Sequence, residues 1–170
     1  MPEYIFNTTA LSNFAAAARL DLLETRYRGA AYVTMEVGDE LRRGVNAGYD
    51  YLEPVLKGME SVDPDGWLRV LVPSSAKEQL LRAEFDHLLD PGEASCLALA
   101  VARGLTFVTD DMAARRLATE RGVPLTGTLG ILIALVRHET LALTEANAML
   151  ATMIRRRYRS SVDRLDDLIQ

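Results

Sequence analysis

The sequence holds a single cysteine, Cys96, and only two histidines, His87 and His138. One thiol cannot close an internal disulfide, and so few Cys and His side chains cannot assemble a structural zinc site. Neither histidine sits in an arrangement with Ser or Cys that reads as a nucleophilic triad. Cys96 lies among Leu97, Leu99 and Val101 with no basic neighbour, which is the setting of a packing residue. No apolar run reaches the roughly 18 residues that a membrane-spanning helix requires. The Met1-Pro2-Glu3 opening lacks the basic-then-apolar pattern of a secretory leader, so the expectation is a soluble, cytoplasmic protein with no membrane partner. Basic residues are also in the minority. The 19 Lys and Arg stand against 24 Asp and Glu, a net charge of −5, which gives no general attraction to phosphates. Any nucleic-acid partner would have to meet a local basic patch or bridging cations.

What is present is the balance of one globular domain: 170 residues, 49% hydrophobic and 25% charged. Strand and helix signals alternate along it. Tyr4-Ile5-Phe6 is β-prone and passes through Asn7-Thr8-Thr9 into the helix-favouring Ala10 to Ala18. A second amphipathic stretch from Leu20 closes near Arg28-Gly29, Ala30 to Val33 reads as a strand, and Thr34 caps a helix carrying Glu36, Glu40 and Leu41. Tyr49 to Arg69, with Pro54, Gly58, Pro64, Asp65 and Gly66 as breakers and turn residues, reads as a helix and then a loop that packs Trp67. Leu68 to Val72 is a strand candidate, and Ser74 or Ser75 starts a helix with Leu80, Leu81 and Phe85 on one side. From Asp90 the pattern sharpens. A helix runs to Ala102 and stops at Gly104, a strand spans Leu105 to Thr109, and a helix from Met112 stops at Gly122. A short strand at Val123 to Thr126 and helices over 127–136 and 144–156 complete the chain. This alternation predicts an α/β fold with a mainly parallel sheet, and no linker or repeat divides it.

In such a sheet, ligands gather at the carboxyl ends of the strands. Asn7 ends the first strand, Asp110 and Asp111 end the Thr106 to Thr109 strand, and Glu40 and Glu93 sit on helices able to flank the same edge. Converging carboxylates repel unless a cation lies between them, and oxygen-only ligands suit Mg²⁺ or Mn²⁺. Each acid also has a plainer role. Asp90-Pro91-Gly92-Glu93 has the form of a helix start with a capping box. Asp110 and Asp111 can cap the following helix, with Asp111 pairing to Arg115 one turn on. Glu40 can belong to a solvated helical face with its charged neighbours.

Several stretches together resemble the PIN-domain family, in its prokaryotic branch. They are Gly92-Glu93-Ala94, Thr109-Asp110-Asp111 with Arg115 and Ala118, and Thr126-Gly127-Thr128-Leu129-Gly130-Ile131-Leu132. Ile5 to Leu11 is similar to that family's first strand and turn, and Val37 to Leu41 to its helix bearing "EL". The signature covers about residues 4–136. The chain would then be one PIN-like domain over 1–170, in which 137–170 form a helical extension with a basic stretch at 155–159.

The resemblance implies a three-layer α/β/α sandwich on a mainly parallel, Rossmann-like sheet. It also implies Mg²⁺ or Mn²⁺ as cofactor and endonuclease action on RNA. Many relatives are toxins of toxin–antitoxin pairs, so a small antitoxin and a homodimer are implied as partners. Carried over by position, Glu40, Glu93 and Asp111 match the metal-binding acids, with Asp110 beside them as a further ligand. Catalysis would rest on these four. Asn7 departs from the pattern, because the family usually has Asp there. Its carbonyl could still ligate a cation, with one negative charge fewer. For substrate, Thr8, Thr109 and Arg115 stand next to the acids, and Arg155, Arg157 and Arg159 surround Tyr158 in the most basic run of the chain. The alternative is a catalytically silent PIN-fold module that binds nucleic acid or protein, and Asn7 is the residue that favours it.

Overall fold

The computed structural model describes residues 1–169. Its sheet contains β1 (Tyr4–Phe6), β2 (Ala31–Thr34), β3 (Arg69–Leu71), β4 (Thr106–Val108) and β5 (Leu125–Thr126). The order is β3-β2-β1-β4-β5, and every pairing is parallel. The register sets Phe6 beside Val108, so β1 and β4 end together.

The strands are short, but their inward residues are apolar and wholly buried, as expected where helices cover both faces. Ile5, Phe6, Val33, Phe107 and Val108 are at 0% exposure. Against one face lie α5 (Ala76–Phe85), α6 (Pro91–Arg103) and α7 (Met112–Glu120), with α6 touching both neighbours. On the other, α1 (Thr8–Ala16) touches α2 (Leu20–Tyr27), α3 (Met35–Asn46), α4 (Glu53–Lys57), α8 (Thr128–Arg137) and α9 (Leu143–Arg155). The parallel sheet is the one the alternating pattern predicts, and the helices on both faces make it the three-layer α/β/α sandwich that the resemblance implies.

α6 is the central helix of its layer. Every residue from Ala94 to Ala100 is buried, which its run of Ala, Leu, Cys and Ser permits because small side chains let the helix lie close to the sheet. Cys96 is fully buried within it, in agreement with a packing role, and burial pushes its thiol far above the ordinary range. Gly104 ends α6 at φ +69°, the left-handed conformation that glycine reaches without steric cost.

Some local readings shift. The helix expected after Tyr49 is a turn of tight helix at Asp50–Leu52 followed by the five-residue α4. A parallel bridge between Met59 and Leu68 then closes the loop and buries Trp67 edge-on against Phe6. On α5, Phe85 is buried, whereas Leu80 is 72% exposed and does not share its face. The tail after α9 docks on the body. Leu165 is fully buried, and its backbone N–H donates to the Asn147 side chain at 2.8 Å. No helix of the described residues is long and apolar enough to cross a membrane.

Candidate active site

Strand order reverses direction between β1 and β4: the chain builds outward through β2 and β3 on one side of β1, then returns to lay β4 and β5 on the other. At such a switch point the loops leaving the two strands diverge and open a crevice. Asn7 leaves β1 there, and Thr109, Asp110 and Asp111 leave β4. Glu40 on α3 and Glu93 in the first turn of α6 face the same crevice.

Asn7 is buried and fully engaged. Its carbonyl oxygen accepts from the Thr9 backbone N–H at 3.0 Å and the Thr9 hydroxyl at 2.8 Å, capping α1, while its amide nitrogen donates to Thr109 Oγ1 at 2.7 Å. The backbone donor fixes which way the amide faces, because an N–H cannot accept. Thr109 is itself fully buried, and its hydroxyl also accepts from the Asp111 N–H at 3.2 Å. It therefore ties the β1 and β4 loops together from behind rather than meeting a substrate, which corrects the role expected of it.

Thr8 donates through its hydroxyl to Glu40 Oε2 at 2.9 Å and so orients that carboxylate. Gly92 makes room for it. A Cβ at Gly92 would run into the Glu40 carboxylate, which gives a spatial reason for glycine immediately before Glu93. Glu93 lies close enough to the other acids to feel them. Burial is the largest cause, and the charges of Asp111, Asp90 and Glu40 add to it, pushing the Glu93 carboxyl up to about 7. The capping box expected at Asp90 is not formed. The Asp90 backbone lowers the Glu93 carboxyl against the other causes, but the Asp90 side chain caps nothing.

The adjacent aspartates divide their work. Asp111 caps α7 by accepting from the Ala114 N–H at 2.8 Å and does not pair with Arg115. Asp110 points to the other side. It accepts from the Thr128 N–H at 2.8 Å, from the Thr128 hydroxyl at 2.5 Å and from Asn13 at 3.4 Å, fastening the start of α8 to the end of β4. Among the described residues, no three carboxylate, His or Cys side chains stand within common reach of one ion. Glu40, Glu93 and Asp111 form an acidic ring around the crevice, and Asp110 is turned out of it.

The basic residues also separate. Arg115 Nη1 donates to the Thr109 carbonyl at 2.8 Å and the Thr126 carbonyl at 3.3 Å, clamping the ends of β4 and β5. Arg155 donates to Thr152 on its own helix, and Arg156 lies over the Tyr51 ring. Arg157 and Arg159 flank a groove of about 310 Å³ that Thr8, Asn13, Asp110 and Asp111 line from the other side. Neither forms an ion pair with a described residue. Of the acids that follow in sequence, Asp166 pairs with Arg164 instead.

Reading the sequence missed the residues that work through space alone. Asn13 and Thr128 hold Asp110 from separate helices, and Gly127 leaves space for it, since a Cβ there would meet Asp110 Oδ1 and the Thr109 carbonyl. Thr128 and Gly127 lie in the run that carried the resemblance. Nothing in the sequence around Asn13 marks it.

A family model described as a PIN domain matches residues 3–170, nearly the whole chain. Among solved structures, the chain is similar to PAE2754 from Pyrobaculum aerophilum at 22% sequence identity and a TM-score of 0.49, over 82% of this chain and 98% of that one. Comparison with curated proteins finds no match.

Proposed function

The chain belongs to the PIN-domain family, and on that premise we propose that it is a divalent-metal-dependent endoribonuclease. PIN domains have a nuclease-like fold, generally depend on divalent metal and generally bind nucleic acid. The observation that carries the reading here is the clustering of Glu40, Glu93 and Asp111 at the β1/β4 switch point, with Asp111 also lining a groove whose other side holds Arg157 and Arg159, which have no acidic partner among the described residues.

The donor set suits a hard cation because it offers only oxygen, and burial first, with the charges of Asp111, Asp90 and Glu40 added to it, raises the Glu93 carboxyl to about 7. Glu40, Glu93 and Asp111 would hold Mg²⁺ or Mn²⁺ only by drawing inward from the positions described, where no three of them reach one ion, and Thr8 is the hydroxyl partner of Glu40 at the rim. When bound, the ion supplies activation of water and stabilises charge on the leaving oxygen. The chain's own residues do the rest. Arg157 and Arg159 neutralise backbone phosphates along the groove, α1 and the segment from Arg157 to Arg159 set its walls, and the Asn7–Thr109 bond keeps the two loops at a fixed separation. A toxin role with a small antitoxin, and a homodimer, are the assembly states that accompany this activity in the family.

The test is cleavage of a mixed RNA pool with Mn²⁺ by the natural chain, Asn7→Asp and Asp111→Asn. The asparagine keeps the cap on α7 and removes only charge. Metal-dependent cleavage by the natural chain or by Asn7→Asp, reduced at least a hundredfold in Asp111→Asn, is the expected result. Cleavage by neither of the first two makes the chain a silent nucleic-acid-binding or protein-binding module.

A further inference from the structure

α9 does not simply end at Arg155. Arg157 takes φ +77°, its N–H closes on the Ile154 carbonyl at 3.0 Å, and the Tyr158 N–H closes on the Met153 carbonyl at 3.0 Å. These two bonds are the usual glycine-centred helix closure, built here with arginine at the left-handed position. The reversal returns the chain across the carboxyl edge of the sheet and sets Tyr158, half-buried, beside Asp110. Burial first and the Asp110 charge next raise the Tyr158 hydroxyl above its ordinary range, as close approach of the two requires.

Tyr158 and Asp110 therefore form a partition. The groove already described lies on one side. On the other is a second cavity of about 300 Å³, at the lower end of the size range of small-molecule sites. Its floor is apolar, from Leu125 and Leu129, and Gly127 and Gly130 keep its wall low. Tyr158, Arg115 and Arg159 give it one aromatic ring and two guanidinium groups. Arg115 is held in place by two strand-end carbonyls through Nη1 alone, which leaves its remaining N–H groups uncommitted among the described hydrogen bonds. Arg159 stands at both cavities and has no ion-pair partner among the described residues.

An apolar floor, an aromatic wall and a rigid multi-donor guanidinium suit a nucleobase, and a second cation shared with the neighbouring groove, unpaired among the described residues, suits the phosphate that joins one nucleotide to the next. We propose that the cavity behind Tyr158 is a nucleobase subsite, which holds the base of the nucleotide adjacent to the phosphate in the acidic groove and gives the protein a base preference there. The assignment of the groove rests on the nuclease reading; the subsite itself does not need catalysis.

The test uses the full, metal-free chain titrated with AMP, CMP, GMP and UMP, followed by backbone amide shifts. The expected result is saturable movement of the Gly127, Leu129 and Gly130 amides, with the four nucleotides differing at least threefold in affinity. Leu129→Trp fills the cavity from a partly exposed position and is expected to abolish the movement. Arg159→Gln changes an exposed, unpaired side chain and is expected to weaken binding severalfold in a fully folded protein. In parallel, sequencing the ends of cleaved RNA is expected to show a base preference beside the cut, reduced at least fivefold in Leu129→Trp. Shifts confined to Thr8 and Thr9, or left intact by both substitutions, overturn the subsite. Nucleotide binding with no RNA cleavage by the natural chain or Asn7→Asp keeps the subsite and removes the nuclease reading.

Discussion

Two glycines border the crevice, and their surroundings predict opposite consequences for the same substitution. At Gly92 an added methyl meets only the end of the Glu40 side chain, which can swing away. Gly92→Ala is therefore expected to change unfolding free energy by no more than about 0.5 kcal/mol, since alanine also favours the helix. Its effect is on Glu40: Mn²⁺ affinity measured by calorimetry should fall on the order of tenfold, the equivalent of about 1.4 kcal/mol. At Gly127 the methyl would stand 2.9 Å from the Thr109 carbonyl oxygen and 3.1 Å from Arg115, so the backbone itself is in the way. Gly127 has φ −157°, which any residue can adopt, and space alone is the obstacle. Gly127→Ala should cost about 1–3 kcal/mol in a urea titration by overpacking. Unchanged metal affinity in the first variant, or unchanged stability in the second, would contradict these assignments. At this scale residue type singled out Glu40, Glu93 and Asp111, and the structure brings them near one another. It was silent where a residue matters by what it lacks or by a partner far along the chain, as with Gly92 or the Asn13–Asp110 contact across 97 positions.

Elements were legible where their ends are marked locally. Ser75 and Glu78 show how completely such a signal can be realised: each side chain caps the other's backbone, and α5 begins where the sequence places it. Element ends set by distant contacts shift instead, as where the helix expected after Tyr49 shortens to a tight turn at Asp50–Leu52 and the five-residue α4, and the loop beyond closes through the Met59–Leu68 bridge. Glu78 goes beyond capping. It is 6% exposed and also accepts from Arg103 at 2.7 Å, which joins α5 to α6, the helix that presents Glu93. The Arg103 bond first, and the Ser74 backbone next, lower its carboxyl to about 2. A carboxylate whose pKa is depressed on folding stabilises the fold above its unfolded value and loses that contribution as pH falls through the folded one. Glu78→Gln is accordingly expected to cost on the order of 2 kcal/mol at pH 7, and progressively less between about pH 4.5 and 2, because the natural side chain is itself becoming neutral. Chemical denaturation at pH 7, 4 and 2.5 tests this; a cost that does not shrink with acid would mean that Glu78 acts by shape and not by charge.

For the whole molecule, the acidic ring opposes the fold that builds it. Glu93 is the clearest sign: burial and its neighbouring carboxylates raise it to about 7, so ionising it in the folded chain is unfavourable. The cost is absent below about pH 4.5, where the group is neutral folded or unfolded, and is complete once pH has risen through 7. A divalent cation that binds the folded chain removes this repulsion and stabilises by mass action, about 2.7 kcal/mol at one hundred times its dissociation constant. Asn7 decides how strong that exchange is. Its pocket would accept a carboxylate without rearrangement, because the Thr9 N–H and both the Thr9 and Thr109 hydroxyls can donate to one. An Asn7→Asp variant should thus fold the same way, yet add a fourth negative charge to the crevice. Without metal, its midpoint of thermal unfolding at pH 8 should lie below that of the natural chain. With millimolar Mn²⁺ the order should reverse, and the metal-induced rise should be larger in the variant. If Asn7→Asp melts lower in both conditions, the fourth charge has no cation to meet, and the ring of Glu40, Glu93 and Asp111 is an electrostatic burden without a metal-binding purpose.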